Sequence, residues 1–295
     1  MPALPLANLQ NRQVQKISRS SGVTAAATKF DIDLGQARSI GVVALVVHNI
    51  SVSGTVRITA SDTASFTTLY YDSGSVAAWP SGVIPTDLLE WEDDNFWLGT
   101  LSQQARAGYQ SPFILRLPSV QNMRYWRVEI VDTSNSDGYI QIGRLFMARG
   151  WSPNVNYGYG SGLGFQDPTP VDTSLSGAEY FDVRSKYRVM TFTLPYITDT
   201  EAYSYALELQ RLAGVSGEIL VMPDGGTSLT TQPQRSFVGR LQQIGAIKQP
   251  NPVTYSVDFE VKESQNSKLQ IGDIIKVLRL ESTYPFVCEN VRRKG

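Results

Sequence analysis

Arg124-Tyr-Trp-Arg-Val-Glu-Ile-Val-Asp132, followed by Gly138-Tyr-Ile-Gln-Ile-Gly-Arg-Leu-Phe-Met147, is the stretch that decides the fold. Both runs alternate and are rich in β-branched and aromatic residues, which predicts two short strands joined by the polar turn Thr133 to Gly138. Working outward, Lys29-Phe-Asp-Ile-Asp-Leu-Gly35 is an earlier strand, and Ile40 to His48 is nearly continuous in apolar residues. Such a run suits a strand covered on both faces. Thr55 to Ala60 alternates, with Val56 and Ile58 on one face and Thr55, Arg57 and Thr59 on the other. Pro112 to Leu117 continues the pattern. Residues 29–149 therefore read as one antiparallel sandwich.

The early Asp-Leu-Gly strand, the apolar strand ending in His48-Asn49 and the late Arg-Tyr-Trp-Arg-Val-Glu-Ile strand together resemble the discoidin-like, or galactose-binding-like, β-sandwich. The resemblance implies a domain that holds ligands rather than converting them.

Between Gly74 and Ser111 the alternation breaks. This segment carries Trp79, Trp91, Trp97 and Tyr109, with acids at Asp87, Glu90, Glu92, Asp93 and Asp94. A long stretch without periodicity points to a functional or interface loop. Three readings stand beside one another. The tryptophans pack on the sandwich or on a partner, or their faces cover the apolar side of a sugar while Glu92, Asp93 and Asp94 take its hydroxyls. The third reading is a glycosidase, which would need two carboxylates about 5–9 Å apart beside the rings.

Residues 150–178 read as a Gly/Tyr/Pro-rich linker between two domains, 1–149 and 179–295. The strictly alternating Gly158, Gly160, Gly162 and Gly164 match no phosphate-binding loop, because no helix pattern follows. The second domain opens with a strand, Arg188 to Leu194, which Pro195 is expected to stop. The one convincing helix comes next. Thr198-Asp-Thr-Glu201 is a capping box, Ala202, Tyr205, Ala206, Leu209 and Ala213 recur at helical spacing, and Gly214 supplies the stop. Strands return at Glu218–Met222, Ser236–Ile244 and Thr254–Lys262, with two more short ones within Ile271–Val291. The fold class is mainly β: a sandwich, then a β-barrel or sandwich carrying one α-helix.

Roughly from residue 180 to 265, the order of strand, capped helix, strand ending at Pro223, Arg235-led strand into Gly239 and last strand closing at Glu263 resembles the ring-forming domain of distal tail proteins of long-tailed, siphovirus-like bacteriophages, and tail-tube-like barrels. Here the sandwich precedes that domain, the reverse of the family's usual order. The resemblance implies a structural virion protein of the tail tip: a homo-oligomer, a hexameric ring, contacting the tail tube, tape measure and tail hub proteins, with outer domains offered to host-surface glycans or fibres. A stand-alone carbohydrate-binding adhesin is the alternative.

Composition narrows the chemistry. The 295 residues suit about two domains of roughly 150 residues. A net charge of −1 gives no overall attraction to nucleic acid, and suits a lumen through which DNA slides without sticking. The N-terminus shows no signal-peptide pattern and no run is long enough for a spanning helix, so synthesis in the cytoplasm without membrane insertion is expected, a bacterial host's cytoplasm if the tail-protein resemblance holds. With one histidine, His48, and one cysteine, Cys288, neither a catalytic triad nor a transition-metal site is expected, and no cofactor. The expected protein is not an enzyme.

Overall fold

The computed structural model describes residues 4–11, 13, 16–79, 84, 87, 89–92, 96–97, 99–100, 112–223, 232–264 and 276–279. The N-terminal half is a sandwich built around two long strands, β2 (Phe30–His48) and β6 (Phe113–Val131), each of 19 residues. They pair antiparallel along their length, but the register shifts between Asp33 and Arg38 and again between Ile40 and Val42. Gly35 sits in the first of these irregularities with φ 75°, a conformation that costs other residues strain.

The bends let one strand pair serve both layers. β3 (Thr55–Ser61) joins the second half of β6, while β7 (Gln141–Ala148) joins the second half of β2. The short strands β1 (Ser18–Arg19), β4 (Tyr71–Asp72) and β5 (Val76–Ala77) complete the described edges. Ile40, Val43, Leu45, Val56, Ile58, Leu117, Trp126 and Ile130 fill the core. The fold-deciding run thus buries Trp126, Val128 and Ile130, while its outward residues Arg124 and Arg127 make bidentate pairs with Asp33 and Asp31 across β2. Those exposed pairs fix register more than they add stability.

The second half is a curved antiparallel sheet in the order β16-β12-β13-β15-β11-β8, comprising β8 (Gly162–Gln166), β11 (Tyr187–Ile197), β12 (Ile219–Met222), β13 (Phe237–Ile244), β15 (Thr254–Glu263) and β16 (Lys276–Arg279). Among the described residues only the β12–β16 pair is parallel, and β14 (Lys248–Asn251) is added beside β15. β11 runs through Pro195 instead of stopping there. Its pairing with β8 ends at Thr191 and its register with β15 shifts between Leu194 and Ile197, so the missing amide falls at a bulge.

Across this sheet lies the predicted helix, seven residues of π-type (Glu201–Leu207) continuing into an α-helical Glu208–Ala213. The capping box is present: the Glu201 carboxylate accepts the Thr198 amide at 2.9 Å, and the Glu201 amide donates to the Thr198 hydroxyl at 3.3 Å. Ala202, Ala206, Leu209 and Ala213 bury the helix against Phe192, Leu194, Val257, Phe259 and Val261.

Residues 150–178 hold more structure than a linker composition implies. Trp151 is buried in the second core, Tyr157 packs against it, and β8 pairs with β11 from Gly162 to Gln166. Gly162 and Gly164 of the glycine alternation lie in β8, while Gly160 sits in the preceding turn at φ 90°.

The two halves meet along an apolar seam. Val42, Ala44 and Val46 point away from the sandwich core, and with Phe146 and Ala148 they pack on Leu220, Met222 and Val238 of the second sheet. This explains the continuous apolar run at Ile40 to His48: one face fills the sandwich and the other the seam. A buried ion pair, Arg144 Nη2 to Glu218 Oε2 at 2.5 Å, crosses between the halves.

Candidate functional site

Of the aromatic loop, the structure places Trp79, Trp91, Glu92 and Trp97; Asp93, Asp94 and Tyr109 lie outside the described residues. Trp79 is not part of an exposed cluster. Its indole N–H donates to the Ile50 carbonyl at 2.8 Å, and its ring lies 5.4 Å from that of His48, half-buried against the sandwich core. That is packing. Trp91 and Trp97 are different, at 68% and 78% exposed. They form a triangle with Phe96, with centroids 5.9 Å apart for the two tryptophans and 5.3 and 6.3 Å to Phe96, all edge to face. Edge-to-face rings hold one another in place while leaving faces open. Glu92 is exposed next to Trp91, and sequence reasoning missed Phe96, although its position beside Trp97 was the available signal.

His48 is held neutral by its surroundings. Burial pushes its imidazole down to about 4, an effect the nearby Asp132 carboxylate only partly offsets, so it is neutral at pH 7. Its Nδ1 accepts the Ile50 amide at 3.3 Å, a local turn contact. Among the described residues no group of three or more His, Cys, Asp or Glu side chains could hold a metal.

A second feature was missed by sequence reasoning. After β8 the chain leaves the sheet as a ribbon, β9 (Val171–Thr173) paired with β10 (Glu179–Phe181), and returns at β11. The turn is fixed locally. The Ser174 hydroxyl accepts the Ala178 amide at 3.1 Å, and Gly177 adopts φ 83°. Every residue of β9 and β10 is exposed, including Tyr180 at 65% and Phe181 at 58%, and Val183 beyond them is 82% exposed. The signal was there in Val171, Tyr180 and Phe181 flanking a Ser/Gly turn, but Pro168 and Pro170 gave the segment the look of a linker.

No family model matches this sequence, and no curated protein matches it. Among solved structures the chain is similar to CBM32-1 from a family 31 glycoside hydrolase from Clostridium perfringens, at 11% identity over 49% of this chain and 84% of that one, with a TM-score of 0.32. Among the described residues no helix is long and apolar enough to cross a membrane.

Proposed function

We propose that this chain is a structural virion protein of a phage tail tip, of the distal tail type, which assembles into a closed ring and displays its sandwich outward. It carries out no catalysis and binds no cofactor. Its partners are further copies of itself and the neighbouring tube, tape measure and hub proteins. The order of strand, capped helix and three strands in the second sheet supports this reading, and one observation carries it: the β9–β10 ribbon. An isolated two-stranded ribbon is marginal in water, and this one leaves its apolar side chains unburied on its own chain. Exposed apolar surface of this kind marks a contact with another molecule. Ring closure requires a reaching element on one copy and a receiving surface on the next.

Light scattering and negative-stain electron microscopy of the purified chain test this directly. A discrete closed oligomer with a central hole is expected. A protein that stays monomeric at all concentrations, and also when mixed with tail-tube subunits, would sink the reading.

The Trp91–Phe96–Trp97 triangle favours a second role in the same particle, contact with host-surface glycans. Exposed indole faces beside a carboxylate suit the apolar face and hydroxyls of a sugar ring. Several weak contacts on one ring gain from effective concentration. Trp91→Ala with Trp97→Ala is expected to abolish binding on a glycan array while leaving the assembled mass unchanged. Unaltered binding by that variant would move the glycan contact elsewhere.

A further inference from the structure

We infer that the arm formed by β9 and β10 docks on one particular surface of a second copy: the face of the second sheet across β8, β11, β15 and β13, at the end that carries Gly164, Lys262 and Arg240. The inference rests on the ring reading above and names the contact that would build it.

Cross-strand register defines the receiving face. Gly164, Val189, Lys262 and Arg240 are successive partners across the four strands, so they share one side of the sheet. Two cations, Lys262 and Arg240, therefore stand directly opposite each other, an arrangement that costs stability unless an anion joins them. Neither makes an ion pair with a described acid. The Lys262 ammonium lies 3.9 Å over the Tyr187 ring, and Glu260, two residues along β15, accepts from Gln243 at 3.1 Å. Val238, two residues before Arg240, belongs to the seam between the halves, so the face continues outward from an established interface.

At the sheet edge, Gly164 keeps this face bare. It has no positive φ, and a Cβ built there would meet nothing within 4 Å. Neither the backbone nor the packing of the chain itself calls for glycine at that position. A glycine inside a strand with no internal reason marks a place where another backbone comes close.

The arm supplies the complement. Val171 opposes Phe181 and Thr173 opposes Glu179, which puts two apolar side chains and a carboxylate on one face of the ribbon. Asp182 and Asp167 are taken by Arg184 and Lys186, at 2.9 and 3.6 Å. Glu179 has no such cation among the described residues. Laid on the receiving face of the next copy, the arm places Glu179 at the Lys262–Arg240 pair, with Val171 and Phe181 over the exposed edge strand at Gly164. The interface is heterologous: each copy gives an arm and receives one.

The test is charge exchange followed by mixing, read by analytical ultracentrifugation of the full chain. Glu179→Lys alone and Lys262→Glu alone should each weaken self-association by at least about 100-fold, because like charges then face each other. An equimolar mixture should reassemble, because each variant presents the partner the other lacks. Gly164→Tyr should also block assembly while the monomer's thermal transition stays in place, and Glu179→Lys lies on a fully exposed ribbon where it cannot disturb folding. If the wild type assembles and these variants assemble equally well, the docking surface is wrong while the ring reading stands. Variants that lose assembly without recovering on mixing would also overturn the contact. A wild type that never assembles removes both.

Discussion

Replacing Glu263 with leucine is expected to destabilise the second half by about 3–5 kcal/mol, since breaking a buried ion pair from one side strands the other charge. Glu263 receives Arg188 three ways: its backbone amide at 2.9 Å, Nε at 3.1 Å and Nη2 at 2.5 Å. Both side chains are nearly enclosed, at 2% and 9% exposed. Arg188 Nη1 also donates to the Gln234 carbonyl at 2.7 Å, and its guanidinium lies 5.1 Å from the centre of the Phe237 ring, neither of which replaces the lost carboxylate charge. Its guanidinium does not deprotonate to escape, as a lysine would. The double variant Arg188→Met, Glu263→Leu should recover much of the loss, because an apolar pair of similar volume removes the desolvation cost. Urea unfolding of the four proteins closes the cycle. A single-variant loss below about 1 kcal/mol would mean that Arg188 reaches solvent or another anion once freed.

Glu263 also shows what could be read in the sequence. Its place at the end of an alternating strand was visible, because Tyr255, Val257, Phe259 and Val261 mark the buried side. Its partner was not, because Arg188 lies 75 residues earlier and nothing local ties the two together. The same division runs through the fold. Alternation and capping are local, so Arg124 to Asp132, the Thr198–Glu201 box and the strands at Ile219–Met222 and Phe237–Ile244 were legible. Features set by distant packing were not. Pro195 read as a stop because a bulge depends on a neighbouring strand, and Gly162 and Gly164 read as linker because an edge strand needs few side chains to pack. At the aromatic loop, three tryptophans looked alike in sequence. Only the fold separates Trp79, which is held by Ile50 and His48, from Trp91 and Trp97, which face outward.

The seam yields the second large effect. Phe146→Ala is expected to cost about 3–5 kcal/mol, as truncating a fully buried aromatic does where the surroundings cannot collapse into the space. Phe146 belongs to neither core: it packs with Val42, Ala44 and Val46 on one side and Leu220, Met222 and Val238 on the other. Its loss should therefore weaken the coupling between the halves more than either half alone. Calorimetry of the wild type should show one transition, because the seam and the buried Arg144–Glu218 pair join the units. In Phe146→Ala that transition should split into two. Two transitions already present in the wild type, with neither moved by the substitution, would mean the halves merely touch. The distinction bears on the proposed ring. The seam lies on the sheet face that continues to Arg240 and Lys262, so in the proposed ring a rigid seam would fix where each sandwich stands relative to the neighbouring copy's arm. If the seam yields, the sandwiches swing independently, and sugar contacts on one particle would no longer be held at the spacing that multivalent attachment needs.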